Sequence, residues 1–512
     1  MEKKDPLLLL VKSLSKSEKR QFKLYAGRLG VNSQKNFMAL FSLLEKMEVI
    51  DESVILKKTN IKKQQLSNAK AHLYKQILIS LRLNPSHHNI MIQIREQLDF
   101  ATILYNKGLH KQSLKVLEKA KNMALQNFEN NLAFEIVELE KAIESQYITR
   151  SMSSRADDLT TQSEMLIKRT VRLSKLSNLS LQLYSMMLKK GYVRDDEDYQ
   201  KVKRYFDDNL PICDIEDLGT KERLFLYKAY LWYNFMTQDF VSCYRYAQKW
   251  VDLFHENPKM KETNPIFYLK GTHYLLEALF LIQHSKKFKN VLEQFKAEFD
   301  NRDFHINDNT SKLAFLIYYQ NKINLFFLEG QFTKGLDFIP EVLEELKMYR
   351  KKFDEHHIMV FYYKIASLYF GAGDYDSCIF YLEKIIKNKE LKMREDLLCF
   401  SRILNLVAHY EAGLDEDMDY LIKSTYRFLI KMDDLHIVQK KIISFLRNLG
   451  NVFPHEMKKE FVKLHEELAP YENHPYEKRS FMYLDIISWL ESKIQNRSVE
   501  SIIQEKARMK IK

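Results

Sequence analysis

Glycine and proline are scarce in this 512-residue chain, which contains only 12 Gly and 9 Pro. Average proteins carry roughly 7% Gly and 5% Pro, and β-sheets, phosphate-binding loops and dinucleotide folds need turns rich in both residues. The hydrophobic share of 46%, with 32 Phe and 29 Tyr, excludes a disordered chain and supplies ample core. The composition therefore predicts an all-α fold.

Cysteine and long apolar runs are also lacking. Cys213, Cys243, Cys378 and Cys399 are too far apart for any C-x-x-C pair that would bind zinc or carry out redox chemistry, so we expect reduced thiols. No run approaches the ~20 apolar residues of a membrane helix, and the apolar run at 7–11 is too short for the core of a signal peptide. The sequence predicts a cytoplasmic protein with no membrane partner.

Motifs of catalysis and metal binding are absent from the sequence. It contains no glycine-rich phosphate loop, nucleophile elbow, H-E-x-x-H motif or kinase motif set. The densest histidine cluster is Glu355-His356-His357, in which adjacent side chains on a helix would point about 100° apart and share one metal poorly. We therefore expect no enzyme activity, no cofactor and no metal.

Three six-residue segments, 238–243, 330–335 and 373–378, align without gaps. Each begins with a turn residue, has an aromatic residue two positions later and ends with a small residue. Apolar residues follow the small residue at helical spacing. A turn residue ends the first helix of a hairpin, the aromatic fills the seam, and the small residue lets the two backbones approach.

This pattern resembles the tetratricopeptide repeat (TPR), whose core motif is Gly-x-Tyr-x-x-Ala followed by spaced apolar residues. The match is closest at 360–388, where Tyr369 stands four residues before Gly373. The turn signals are Gly108, 150–154, Gly191, Gln238, 284–286, Gly330, Gly373, Gly413 and Gly450. The resemblance implies a right-handed solenoid of about nine TPR-like hairpins with repeats of about 43 residues. HEAT-type helical hairpins have this repeat length too and are the alternative.

The ends of the chain differ from its middle, which predicts three parts. Residues 1–85 form a basic N-terminal helical domain, 86–470 the repeat array, and 471–512 a capping helix with a basic tail. Phe481, Leu484, Ile487 and Leu490 have the helical spacing of a cap over the last apolar face. The polar tail from residue 495 is expected to fray.

In proteins similar to the tetratricopeptide family, the first helices of successive hairpins line a groove that holds a peptide or a partner's helix. The resemblance, carried over by spacing from the turns at 330 and 373, implies five groove residues: Gln320, Asn321, Asn324, Lys364 and Ser367. Asparagine side chains there can bond both edges of a peptide backbone.

The positive charge of the chain is concentrated near the N-terminus. Residues 1–83 hold 17 basic and 7 acidic side chains, whereas the remainder holds 63 and 61. A short helix at 51–58, a tight turn at 59–61 and a long helix at 62–83 give the outline of a helix-turn-helix. Nucleic-acid candidates are Lys57 and Lys58 beside the DNA or RNA backbone, and Lys62, Lys63, Gln65 and Asn68 near the start of the second helix. A plain basic bundle that begins the solenoid explains the same residues.

Two functions follow from these observations. The first is a non-enzymatic scaffold or adaptor whose solenoid binds a protein or peptide. The alternative is a nucleic-acid-binding regulator, in which the basic N-terminal module contacts DNA or RNA and the array senses a peptide or dimerises. Neither hypothesis names the partner or predicts the oligomeric state.

Overall fold

The computed structural model contains only helices and turns among the residues it describes, which confirms the all-α prediction. The described residues are 5–28, 31–84, 89–146, 154–301, 307–349, 353–388, 395–414, 418–431, 437–449, 452–453, 455–478, 481 and 485–511. None of the helices within these ranges is both long enough and apolar enough to cross a bilayer. By backbone proximity the chain divides into two compact units, 1–167 and 168–512, which are described separately.

Eight helices lie in residues 5–146. They are α1 Pro6–Ser13, α2 Lys16–Ala26, α3 Val31–Lys46, α4 Glu52–Lys58, α5 Leu66–Arg82, α6 Ile90–Asn106, α7 His110–Gln126 and α8 Asn130–Glu144. The first five share a core around Phe22, Phe41 and Leu73, whereas residues 94–166 form a separate core. This separation fits a distinct N-terminal helical module, and the predicted boundary at 85–88 lies outside the described residues.

The first two helices begin at side-chain caps. The Asp5 carboxylate accepts hydrogen bonds from the backbone N–H groups of Leu7 and Leu8. Ser15 and Glu18 form a reciprocal capping box, in which each side chain accepts from the other residue's backbone N–H. Such caps satisfy N–H groups that the first turn of a helix leaves without partners.

Helix α9, Arg155–Lys190, departs from the predicted repeat. It is one helix of 36 residues, whereas the turn signals at 150–154 and Gly191 predicted a two-helix unit between them. The segment contains no glycine or proline, so nothing interrupts its backbone hydrogen bonding. The turn at Gly191 is confirmed by its positive φ of 73°. The repeat pattern therefore does not extend through residues 155–190.

Five helical hairpins follow within residues 168–512. The helices from α10 onward are α10 Asp196–Asn209, α11 Thr220–Met236, α12 Phe240–Glu256, α13 Pro258–Thr263, α14 Pro265–Leu281, α15 Ser285–Asp300, α16 Asp308–Glu329, α17 Phe332–Leu336, α18 Ile339–Tyr349, α19 Glu355–Ala372, α20 Tyr375–Ile386, α21 Glu395–Glu411 and α22 Met418–Lys431. The first helices of the hairpins are α11, α14, α16, α19 and α21. Helices α14, α16 and α21 each pack against the helix that precedes them, and α19 packs against α17 and α16, so the hairpins contact one another in chain order.

Every first helix ends at a residue in the left-handed conformation. These residues are Gln238 at φ 59°, Gln283 at 55°, Gly330 at 62°, Gly373 at 85° and Gly413 at 67°. They are spaced 45, 47, 43 and 40 residues apart, as the sequence period predicts. The second of these turns is centred on Gln283 and not on the predicted 284–286, because His284 already donates its backbone N–H to Leu279.

The small and aromatic residues of the repeat pack as predicted. Phe332 is buried against Gly371, where an added Cβ would lie 2.2 Å from the ring. Cys243 and Cys378 are fully buried free thiols, and burial raises the pKa of both. Their packing role is confirmed.

The C-terminal helices are α23 Ile437–Leu449, α24 Met457–Leu468, α25 Ile486–Gln495 and α26 Val499–Ile511. Helix α25 packs on α24 with Ile487 and Leu490 buried, as the predicted capping helix requires. Phe481 is half-buried, and Leu484 lies outside the described residues.

The prediction of a fraying tail is wrong. Residues 499–511 form helix α26, which packs on α15, α16 and α19. The Glu500 carboxylate accepts from the backbone N–H and hydroxyl of Thr333 at 3.0 and 2.6 Å, and Gln504 donates to the Gly330 carbonyl at 3.0 Å. The tail is ordered because its polar side chains bond to the turn of the third hairpin.

We predict that Gly371→Ala destabilises the hairpins by about 2 kcal/mol, because the new methyl group must displace the buried ring of Phe332. The urea midpoint of unfolding measures this loss. Gly373→Asn is the matched control, since φ there is 85° with no atom near the added Cβ and asparagine tolerates left-handed geometry. Equal midpoints for Gly371→Ala and the wild type would contradict the packing.

Candidate functional site

Aligning the hairpins on their left-handed residues places polar side chains in register on the first four first-helices. The positions lie six, nine and ten residues before each left-handed residue. Their occupants, named here the first-helix strip, are Lys228, Ala229, Trp232, His273, Tyr274, Glu277, Gln320, Asn321, Asn324, Tyr363, Lys364 and Ser367. In the fifth hairpin the same positions hold buried Ile403, Leu404 and Val407. The polar strip is therefore confined to α11, α14, α16 and α19.

Three of the five groove residues implied by the resemblance form one hydrogen-bonded chain. The Lys364 ammonium donates to Asn324 Oδ1, the Asn324 amide donates to Asn321 Oδ1 at 3.2 Å, and the Asn321 amide donates to the Ile317 carbonyl at 2.8 Å. Asn321 and Asn324 are only 2% and 7% exposed. Their bonding within the protein fixes the side-chain orientations and holds the Lys364 ammonium in place.

The other two implied groove residues lie on the same helices but outside this chain. Gln320 is half-buried on α16 and forms no hydrogen bond with the described residues. Ser367 is half-buried on α19, and its hydroxyl donates to the Tyr363 carbonyl one turn earlier at 2.9 Å. Of these two, Gln320 is the more available to a ligand.

Helix α14 supplies strip residues that sequence reasoning missed. His273 Nε2 lies 3.7 Å from Glu277 Oε2, and the buried His273 Nδ1 has no hydrogen-bond partner within the described ranges. Burial lowers the pKa of His273, while the Glu277 charge opposes this shift. His273 is therefore neutral at pH 7. The spacing of 45 and 47 residues between the left-handed turns is the sequence signal that locates it.

Aromatic side chains form part of the strip on α11 and α14. The Trp232 ring centroid lies 4.7 Å from that of Tyr184 and 5.2 Å from that of Tyr274, the latter edge-on. Trp232 is 7% exposed, and its indole N–H is buried without a partner in the described part of the chain. This end of the strip thus offers apolar surface beside polar groups.

Lys364 is the most strongly perturbed cation of the strip. Burial lowers the pKa of this half-buried amine to about 8, and the negative charge of Glu277 limits the shift. No carboxylate lies within ion-pair distance of its ammonium among the described residues. At pH 7 the amine is still mostly protonated, so an incompletely solvated positive charge stands on the strip.

The six nucleic-acid candidates are all exposed. They lie on or between α4 and α5, as predicted, although α5 begins at Leu66 because residues 63–65 form a 3₁₀ turn. Gln65 Oε1 accepts the backbone N–H of Lys62 at 3.3 Å, so its side chain caps the turn.

Acidic groups lie beside one end of this basic segment. Lys63 lines a surface cleft together with Asp5, Glu52 and Lys70. The Lys70 ammonium is 2.7 Å from Asp5 and 3.8 Å from Glu52. These carboxylates reduce the positive potential around Lys63, whereas Lys57, Lys58 and Lys62 form no ion pair that the described residues show.

Among the described residues, no group of three histidine, cysteine, aspartate or glutamate side chains is placed to hold a metal ion. The first-helix strip offers a ligand amide, imidazole, carboxylate and ammonium groups, which recognise polar chains by hydrogen bonding and charge. Comparison of the chain with known proteins finds no matching family model, curated protein or solved structure. The first-helix strip and the basic N-terminal module are therefore the two candidate sites.

We predict that Lys364→Met raises the free energy of unfolding at pH 7 by about 1 kcal/mol, because an unpaired, part-buried charge is replaced by a side chain of similar shape. The native pKa lies below the unfolded one, so the native penalty is complete below pH 8 and fades as the pH rises toward 10.5. The free energy of unfolding gained by Lys364→Met should therefore shrink as the pH rises from 8 toward 10.5. Urea unfolding at pH 7 and pH 10 measures it, and a loss of stability at pH 7 would contradict the prediction.

Proposed function

We propose that residues 220–431 form a TPR-like solenoid that binds an extended segment of a protein or peptide along the first-helix strip. The chain would then act as a non-enzymatic scaffold or adaptor in the cytoplasm, in keeping with its four free thiols. The observation that carries the proposal is the hydrogen-bonded chain from Lys364 through Asn324 to Asn321, which connects neighbouring first helices.

The energetic cost of burying the polar groups of this hydrogen-bonded chain supports a binding role. Burying amides and an ammonium is unfavourable unless their hydrogen bonds are replaced, and apolar residues would pack the same positions more stably. The fifth hairpin does place apolar residues there, such as Leu404 and Val407. Polar residues in the third and fourth hairpins are therefore expected to serve a ligand.

The strip retains capacity for hydrogen bonds to a ligand. The Lys364 ammonium has two N–H groups beyond the one it gives to Asn324, and the half-buried Gln320 side-chain amide has both a donor and an acceptor. An extended peptide presents alternating N–H and C=O groups that match this mixture of donors and acceptors.

We expect random twelve-residue peptides displayed against the full chain to yield binders of micromolar affinity. Asn324→Ala should weaken these peptides about tenfold, because it removes the amide that links Lys364 to Asn321. Fluorescence anisotropy with a selected peptide measures the change. Asn290→Ala, at an exposed position on α15, is the matched control and should bind as the wild type does.

Two results would count against this proposal. One is a selection that yields no peptide dependent on the folded chain. The other is a set of peptides whose affinity is the same for Asn324→Ala and wild type, which would place the binding surface elsewhere.

A nucleic-acid-binding regulator is the second candidate. It is favoured by the separate core of residues 7–81 and by the exposure of Lys57, Lys58, Lys62 and Lys63. In this candidate function the N-terminal module contacts phosphates and base edges, and the hairpins sense a peptide or dimerise. The module resembles a helix-turn-helix in outline only, and the argument for DNA or RNA contact is electrostatic.

For this second candidate, fluorescent duplex DNA and RNA should bind the full chain with an affinity that falls with salt, at a log-log slope of about −0.9 per phosphate contacted. Lys62→Glu combined with Lys63→Glu should reduce the affinity about tenfold or more and flatten the slope. Lys16→Glu with Arg20→Glu, exposed on α2, controls for net charge. Absence of binding at low salt, or equal losses from both pairs, would reject a specific site at 57–68.

A further inference from the structure

Lys364 lacks the carboxylate partner that some other part-buried lysines of residues 168–512 have. Lys441 lies 2.7 Å from Glu467, and Lys506 lies 2.8 Å from Glu491. Within the described residues the Lys364 ammonium reaches only Asn324 Oδ1, a neutral acceptor. A partly desolvated ammonium with one neutral partner is poorly compensated, because buried charges are normally paired.

A pair of lysines without carboxylate partners lies on α11 and α14, with Lys228 on the strip and the exposed Lys270 one turn before the strip residue His273. The half-buried Lys228 Nζ of α11 lies 5.6 Å from the centroid of the Phe225 ring. Burial lowers the pKa of Lys228, and the nearby charge of Lys270 on α14 lowers it further. Neither lysine forms an ion pair in the described part of the chain. Two adjacent cations without a counter-ion form a site that an anion would stabilise.

The groups that act on Lys364 leave the strip positively charged. Helix α14 contributes Glu277, which attracts the Lys364 charge, and His273, which is neutral at pH 7. Helix α16 contributes the uncharged Asn324, which accepts a hydrogen bond from the ammonium. Glu277 opposes only one of the three lysines, so acidic ligands are favoured over neutral ones.

We infer that the first-helix strip binds an acidic segment of a peptide or protein, with one Asp or Glu side chain on Lys364 and another on the Lys228 and Lys270 pair. The inference rests on the proposed peptide-binding function. A ligand carboxylate supplies the charged acceptor that Lys364 lacks, and a charge-assisted hydrogen bond to a half-buried ammonium is stronger than one in water.

The placement of the cations favours side-chain carboxylates over other anions. They are distributed over α11, α14 and α19, so a single C-terminal carboxylate would compensate only one of them. Phosphodiester chains are held by rows of exposed cations, whereas Lys228 and Lys364 are half-buried. An acidic side chain of a peptide can reach a half-buried ammonium of this kind.

The test uses the full chain and two fluorescein-labelled dodecapeptides with amidated C-termini. One alternates Glu with Gly and Ser, and the other has Gln in place of every Glu. Anisotropy titrations at pH 7 should give an affinity about tenfold or more higher for the Glu peptide. Because the terminal carboxylate is blocked in both, the difference reports side-chain carboxylates alone.

Variants then assign the binding to Lys364. Lys364→Met should lose about tenfold in affinity for the Glu peptide, whereas Lys364→Arg should retain it at pH 7. At pH 9.5 the wild type should bind the Glu peptide more weakly than at pH 7, because the Lys364 amine loses its proton. The Lys364→Arg variant should lose less affinity than the wild type over the same change of pH. Lys322→Met is the matched control, because Lys322 is a half-buried lysine on α16 that lies outside the strip.

The outcomes separate this inference from the proposed function. Equal binding of the Glu and Gln peptides, both dependent on Asn324, would overturn the inference and leave peptide binding intact. Binding of neither, together with a failed peptide selection, would overturn both. Displacement of the Glu peptide by single-stranded oligouridylate, with the same dependence on Lys364, would also overturn it by assigning the strip to nucleic acid.

Discussion

The left-handed residue that ends each first helix is the constraint on which the rest of the structure depends. It reverses the chain within one residue, so that the second helix returns against the first and the next hairpin packs on both. Because the reversal recurs at similar intervals from Gln238 to Gly413, equivalent positions of successive first helices fall side by side. The first-helix strip is a consequence of this register. A shift of one residue in any turn would rotate a helix by about 100° and remove its polar residues from the strip.

The polar residues of the first-helix strip reduce the stability of the hairpins that carry them. The hairpins are held by buried aromatic and aliphatic side chains, and by small residues such as Gly335 and Gly371 that permit close approach. Asn321, Asn324 and Lys364 interrupt this packing with groups whose desolvation is unfavourable. These three residues are tolerated because each side chain forms a hydrogen bond to the next. This hydrogen-bonded chain ends on the backbone carbonyl of Ile317. The positive charge at its outer end is what remains unsatisfied, and for that reason it is the part of the strip most suited to a ligand.

Much of the fold was predictable because it is encoded locally. Scarce glycine and proline, helix caps at Asp5 and Ser15, and glycines at the turns of the third to fifth hairpins each act within a few residues of the chain. The second turn was predicted at 284–286 instead of at Gln283, where no glycine marks the left-handed position, and the strip residues of α14 were missed with it. The surface on which helix α26 packs was not predictable from the sequence, because its contacts join Glu500 and Gln504 to a turn about 170 residues away. Local patterns thus identify the helices, but not the distant surfaces that they cover.

The account depends most directly on an uncompensated ammonium at Lys364. Titration of the isotope-labelled lysine side chains by NMR, with Lys364→Arg used to assign the signal, measures its pKa in the free chain and with the acidic dodecapeptide bound. The account predicts a value of about 8 in the free chain and a rise when a ligand carboxylate pairs with the ammonium. An ordinary lysine pKa in the free chain, or one that the acidic peptide does not change, would contradict it.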